Sequence, residues 1–351
     1  MENGLKGIIR VLVVEDSPLM CKVITNILNS DPQIIVAGIA HNGKEAIELV
    51  PRLKPNIITM DIHMPVMDGY EATKQIMAYC PTPILVVSTS VFKEGMNKVF
   101  KAISYGALDV IDKGAMEAYG DEKSGRELIN KIKFLSNIKV ITHPLAKLEK
   151  ESSAKVLNIS KRNAPDRIVA IAASTGGPEA IHSILKSLPE DFPCALVIVQ
   201  HMTSGFVGGL AGWLNDESKI NVKVAENGEG LLPGTAYIAP CDSQMRVDEN
   251  KKIRITDEPP CDGQRPSGSI LLESVARVYR EGAIGIVLTG MGRDGSIGLS
   301  AIKRLGGVTI AQDEKSCVVF GMPKAAIEMN AAKTVLPLEK IAEEIVESLK
   351  R

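Results

Sequence analysis

Short uninterrupted apolar runs alternate along this chain with stretches in which apolar residues return every three or four positions. In the first third the runs fall at Ile9–Val14, Ile34–Ile39, Ile57–Met60, Ile84–Val87 and Leu108–Ile111, each of strand length. Between the first two, Val23, Ile24, Ile27 and Leu28 keep helical spacing over Leu19 to Leu28. Such strand–helix alternation predicts a parallel sheet with helices wound over both faces. The second half repeats the pattern, with strand-like runs at Ile168–Ala172, Ala195–Val199, Ala283–Leu288 and Val308–Ala311 and helical spacing over Gly298–Leu305 and Leu338–Leu349. Thr235–Ala239 and Met245–Val247 fit either a hairpin or edge strands. The fold class expected is α/β, with two doubly wound domains on mainly parallel sheets.

From His143 to Arg167 the periodicity fades into six Lys/Arg, three Asp/Glu and three serines, the composition of a tether. The expected boundaries are a first domain at 8–125, a linker at 126–166 and a second domain at 167–351. At 351 residues the chain is long enough for two such cores. An apolar content of 45% excludes a mostly disordered chain, and a net charge of -1 provides no global basic field for nucleic acid or membrane. No apolar run reaches the roughly 18 residues of a spanning helix, and MENGLKGIIRVLVVEDS lacks the features of a signal peptide. Cys21, Cys80, Cys194, Cys241, Cys261 and Cys317 are scattered with no CxxC pair, as reduced thiols would be. A cytoplasmic protein without membrane insertion is expected.

In open α/β sheets, sites form at the carboxyl ends of strands. Glu15 and Asp16 end the first strand, Asp61 the third and Ser88 the fourth, and Lys113 follows the fifth. Three converging carboxylates repel one another unless a cation binds, and an oxygen-rich site suits Mg²⁺. A metal there leaves room for a phosphoryl group, whose oxygens the Ser88 hydroxyl and Lys113 ammonium are suited to hold. VEDSPLM, MDIHMPVMDG and Lys113 together resemble a response-regulator receiver domain, of the flavodoxin-like kind, over about residues 8–125. The resemblance implies phosphoryl transfer from a histidine kinase to Asp61, with Glu15, Asp16 and the backbone carbonyl of His63 around Mg²⁺ and Ser88 and Lys113 as switch residues. Gly114 stands where such domains usually have proline, and Val110 where an aromatic switch residue is common.

The stretch IVAIAASTGGPEAI ends an apolar run in Ser174, Thr175, two glycines and a proline, then reads as a helix. A plain strand-to-helix corner, a phosphate cradle and a nucleophilic serine all fit that shape. A nucleophilic serine needs a base, and the base an orienting group. His182 lies eight residues on, about 12 Å along a helix at 1.5 Å per residue, out of reach. His201 follows the apolar run ALVIVQ at a strand's carboxyl end and is the expected base. Asp294 in LTGMGRDGSIG and Asp313 in TIAQDEKS compete for the third role. The glycines around Asp294 favour it, whereas Asp313 reads as a solvated turn. Backbone N–H groups near Thr175 and Met291 are the oxyanion candidates. Neither G-x-S-x-G nor G-x-G-x-x-G is present, so an ordinary hydrolase elbow and a dinucleotide fold are both unsupported.

AASTGGPEA, VQHM, AYIAPCD, LTGMGRDG, GGVTIAQDE and FGMPKAA resemble, in order, the pieces of the catalytic domain of CheB-type chemotaxis protein-glutamate methylesterases, a Rossmann-like serine esterase. The resemblance implies a Ser174–His201–Asp294 triad that hydrolyses γ-glutamyl methyl esters on methyl-accepting chemoreceptors, and a capacity to deamidate receptor glutamines. It also implies that the unphosphorylated receiver restrains the esterase. The chain departs from the family pattern at Ala172, at GGLAGWLN, at Gln244 and in RPSGSILLES, none of them a triad position. Two rival readings are a receptor-docking module without catalysis and a receiver-controlled esterase with another target.

Overall fold

The computed structural model describes residues 7–88, 93–114, 122–138, 140 and 166–350. The chain forms two compact units. In the first, β1 (Ile9–Val14), α1 (Pro18–Asn29), β2 (Ile34–Ala40), α2 (Gly43–Leu53), β3 (Ile57–Met60), α3 (Gly69–Tyr79), β4 (Ile84–Ser88), α4 (Lys93–Ser104), β5 (Asp109–Asp112) and α5 (Glu122–Leu135) alternate. The sheet runs β2-β1-β3-β4-β5, all parallel. Chain direction across the sheet reverses at β1, so the loops after β1 and β3 flank its switch point. The helix starts are written in the sequence. Ser17, Asn42 and Asp68 each cap a first turn through their side chains.

The boundary expected at residue 125 is corrected by α5. Leu128, Ile132 and Leu135 are buried, so this helix belongs to the first unit's core and not to a linker. Its apolar stripe is interspersed with charged residues, which thins its signal in the sequence. Most of the expected linker, residues 141–165, lies outside the described residues.

The second unit contains β6 (Ile168–Ala173), α6 (Gly177–Ser187), β7 (Ala195–Gln200), α7 (Val207–Glu217), β8 (Asn221–Val224), β9 (Thr235–Ile238), β10 (Gln244–Val247), β11 (Ile253–Thr256), α8 (Gly268–Tyr279), β12 (Ala283–Val287), α9 (Ser296–Arg304), β13 (Val308–Gln312), α10 (Met322–Glu328), β14 (Thr334–Leu336) and α11 (Leu338–Lys350). Seven parallel strands run β14-β13-β12-β6-β7-β9-β8. Every residue of β6, β7 and β12 is buried, as expected for strands covered on both faces. The hairpin alternative is not realised. β9 lies inside the main sheet between β7 and β8, while β10 pairs antiparallel with β11 in a separate two-stranded sheet packed on α8.

Candidate active site

The three central strands β12, β6 and β7 end side by side. Register pairs Val287 with Ala172 and Ala173 with Gln200. One step further, β6 delivers Ser174 and β7 delivers His201. The Ser174 N–H donates to Thr289 O and the His201 N–H to Ala173 O, both at 3.0 Å, so the ladder still holds them there. Asp294 comes from the loop between β12 and α9. Reversal of chain direction at β6 makes this a switch point too.

His201 Nε2 lies 2.9 Å from Asp294 Oδ2. A carboxylate only accepts, so Nε2 carries a proton, and in the neutral imidazole it is Nδ1 that keeps its lone pair. That Nδ1 is buried and has no hydrogen-bond partner. Asp294 is itself cradled at the start of α8: Oδ1 accepts from Ser267 Oγ (2.8 Å) and the N–H groups of Ser269 and Gly295 (2.9 Å each), and Oδ2 from the Gly268 N–H (2.6 Å). Burial alone would push this carboxyl up. The hydrogen bond and charge of His201, with the donors of Ser269 and Ser267, outweigh it and hold Asp294 well below the usual carboxylate range. An acceptor-only base partner results, fixed in place by helix-start donors.

Gln200 is a third organiser. Its buried amide Nε2 donates to the carbonyls of Ser174 (2.9 Å) and His201 (2.8 Å), tying the two backbones together. Its Oε1 occupies the space a Cβ at Gly177 would need, so α6 can start there only with glycine. Gly176 takes φ 77°, the left-handed turn that ends β6 and swings the chain into the helix. A Cβ at Gly290 would fall 2.6 Å from Ser174 Cβ, so that glycine lets the β12 loop close over the serine.

His182 is elsewhere. It packs on Trp213, with Glu179 and Glu217 at 3.7 and 3.8 Å from its ring nitrogens. Asp313 accepts from Ser316 N and Oγ in a local turn, and its carboxylate is not the one paired with His201. Thr175 is buried, and the Met291 side chain is exposed on the loop before Asp294. The N–H groups of Gly177 and Gly290 are spent on the carbonyls of Ser174 and Val319. Motif reading missed Gln200, Ser267, Gly268 and Ser269. The available signal was Ser267 just before an apolar helix, an N-cap whose following N–H groups can hold an anion.

In the first unit, Glu15, Asp16 and Asp61 bring ligand oxygens within 4.8 Å of one another. Lys113 Nζ reaches Glu15 Oε1 at 2.8 Å and Asp61 Oδ2 at 2.9 Å. Burial would lower the Lys113 pKa, but the charges and hydrogen bonds of Asp61 and Glu15 win and hold it above its usual value. Glu15 is raised by burial, against the Lys113 hydrogen bond and with the Asp61 charge. One ammonium does not complete the cluster, because Glu15 Oε2 stays buried with no partner. Ser88 Oγ is likewise buried and unpartnered. A Cβ at Gly69 would collide with the Asp61 carbonyl, so the loop after β3 closes tightly only with glycine. His63 N–H lies 3.4 Å from Asp61 Oδ1.

Residues 169–345 match the family model of the CheB methylesterase, and residues 11–119 that of the response regulator receiver domain. The protein-glutamate methylesterase/protein-glutamine glutaminase 1 of Syntrophus aciditrophicus is 44% identical over 342 residues, covering 96% of this chain and 97% of its own. A similarly named protein of Nitrosospira multiformis is 46% identical over 341 residues and 95% of each chain. The crystal structure of the Thermotoga maritima CheB methylesterase catalytic domain is similar at a TM-score of 0.50 and 41% identity, covering 52% of this chain and 97% of that one.

Proposed function

The chain belongs to the CheB family of receiver-linked protein-glutamate methylesterases, and from that premise we propose how its own residues carry the reaction. Ser174 Oγ attacks the carbonyl of a γ-glutamyl methyl ester on a chemoreceptor while His201 Nδ1 takes the hydroxyl proton. His201 returns that proton to the departing methoxide, and methanol leaves the receptor side chain bonded to Ser174. His201 then accepts a proton from water, whose oxygen attacks the acyl-enzyme, and restores Ser174 by protonating it. Asp294 holds the imidazole's tautomer and stabilises its positive form without taking the proton. N–H groups near Thr175 and Met291 are assigned to the developing oxyanion. A receptor glutamine enters the same cycle with ammonia as the leaving group. The observation that carries this reading is the His201–Asp294 pair at 2.9 Å, with a free Nδ1 on the histidine that ends the strand beside Ser174's own.

The receiver accepts a phosphoryl group from a histidine kinase at Asp61. Glu15, Asp16, Asp61 and the His63 carbonyl would hold Mg²⁺, for which the unpartnered Glu15 Oε2 is a ready ligand. Bound Mg²⁺ offsets the charge of the carboxylates and of the phosphoryl group. Lys113 and Ser88 take the phosphoryl oxygens, which releases Lys113 from its pairing with Glu15. The receiver's state then governs the esterase, by a population shift. The reaction is placed in the cytoplasm, in keeping with six free cysteines. The deciding test is mass spectrometry of methylated receptors after incubation. Wild type removes 14 Da (about one CH₂ per ester, the mass lost on demethylation) and Ser174→Ala removes none.

A further inference from the structure

Gln244 begins β10, in the two-stranded sheet outside the seven-stranded one, and its side chain is fully buried. Its amide is spent entirely on one neighbouring loop. Nε2 donates to the carbonyls of Pro259 (3.1 Å) and Gln264 (3.3 Å), and Oε1 accepts the Ser267 N–H at 2.8 Å. Ser267 is the residue whose Oγ donates to Asp294 Oδ1. Its two successors give their N–H groups to the same carboxylate. A buried amide with both donors and its acceptor engaged holds a segment rigidly, because any displacement strands a polar group out of reach of water.

We propose that Gln244 is a positioning residue of the esterase: by anchoring Ser267 it sets the three consecutive donors that aim Asp294 at His201. The inference rests on the triad reading above. It gives the loop from Pro259 to Ser267 a function, that of a bracket between a peripheral hairpin and the catalytic carboxylate. The Gln244 amide bonds to the Ser267 N–H and the Asp294 carboxylate to the Ser267 Oγ, and the two share no hydrogen bond with each other. Changes at Gln244 therefore act on the chemistry only through Asp294.

A double-mutant cycle on the full-length protein tests this, using a small phosphodonor for activation and p-nitrophenyl acetate as substrate. Gln244→Met keeps the side chain's length and removes its hydrogen bonds. It is expected to lower kcat by about tenfold or more, with KM changed by less than about twofold. In an Asp294→Ala background, where there is no carboxylate to aim, the same change is expected to cost less than about threefold. Gln244→His, with one ring nitrogen to accept from Ser267 and the other to donate to a carbonyl, is expected to stay within about threefold of wild type. Equal losses in both backgrounds, or wild-type kcat in Gln244→Met, would overturn the proposal. If Gln244→Met loses its cooperative melting, the cycle is run with Gln244→Asn, whose shorter amide draws back from the Ser267 N–H, and equal losses in both backgrounds, or wild-type kcat in Gln244→Asn, overturn the proposal as well. Undiminished turnover by Ser174→Ala would instead sink the triad reading, a separate outcome.

Discussion

Ser174 and His201 stand one residue beyond the paired Ala173 and Gln200, at the ends of two neighbouring parallel strands. Their spacing is therefore a property of the sheet, reinforced by the Gln200 amide that bonds to both carbonyls. Asp294 arrives from a third strand end and is aimed by a helix start. Ser174 and His201 thus share one support and Asp294 has another, and the two fail differently.

Substitution in the triad comes first. Ser174→Ala and His201→Ala are expected to lower kcat on receptor methyl esters by about 10³-fold or more, because the groups act as one unit. Asp294→Asn presents an amide to His201 and permits the wrong tautomer, at a cost of about 10⁴-fold. Asp313→Asn, confined to its turn with Ser316, should stay near wild type. Steady-state methanol release ranks the four, and a crippled Asp313→Asn beside an active Asp294→Asn would reassign the third residue.

Acid should expose the Asp294 cradle. The folded state holds this carboxyl below its ordinary value. Its contribution to stability is therefore fully present above about pH 4, the unfolded carboxyl's range, and is lost as pH falls through the folded value. Thermal melts of wild type and Asp294→Asn are expected to differ most at neutral pH and to converge toward acid. A difference that widens as pH falls contradicts this.

Mg²⁺ should stabilise the first unit, and more so as pH rises. Burial raises the Glu15 pKa, so stability falls as pH rises above the unfolded carboxyl's range, and the cost is complete once pH passes the folded value. A cation on the unpartnered Oε2 offsets that cost, by about 2.7 kcal/mol at a hundredfold excess over Kd. Melting curves with Mg²⁺ and with chelator should separate at pH 8 and approach each other near pH 4, and Asp16→Asn should shrink the gap. Superimposed curves at pH 8 would remove the cluster as a cation site.

Control by the receiver has a two-part outcome. A small phosphodonor with Mg²⁺ is expected to label Asp61 and to leave Asp61→Asn unlabelled. The same treatment should raise esterase turnover of the whole chain while leaving a fragment that begins at Asp166 unchanged, and the fragment should outpace the unphosphorylated chain. Equal rates for fragment and unphosphorylated chain would reduce the receiver to a targeting device.

Much of this was legible in the sequence because parallel sheets advertise themselves. Fully buried strands read as apolar runs, and whatever polar residue ends such a run stands on the functional rim, which is how Asp61, Ser174 and His201 could be named. Asp294 could be preferred over Asp313 from its glycines, which permit a loop to fold back. What escaped has physical causes. β8, β11 and β14 are short and partly exposed, so their apolar signal is thin. Thr235–Ala239 and Met245–Val247 suggest a hairpin or edge strands because proximity in sequence is the only pairing cue available before folding. Gln200 and Gln244 act through buried amides on distant main chain, and glutamine carries no local sign of such a partner.

The triad's spread along the chain also puts its parts on a timetable. Asp294 is synthesised 93 residues after His201, on the order of 5–20 s later at about 5–20 residues per second. Until the loop after β12 has been made, His201 has no carboxylate to pair with. The receiver sheet, complete by Asp112, has by then long left the ribosome. The receiver's sheet is thus complete before the His201–Asp294 pair can form.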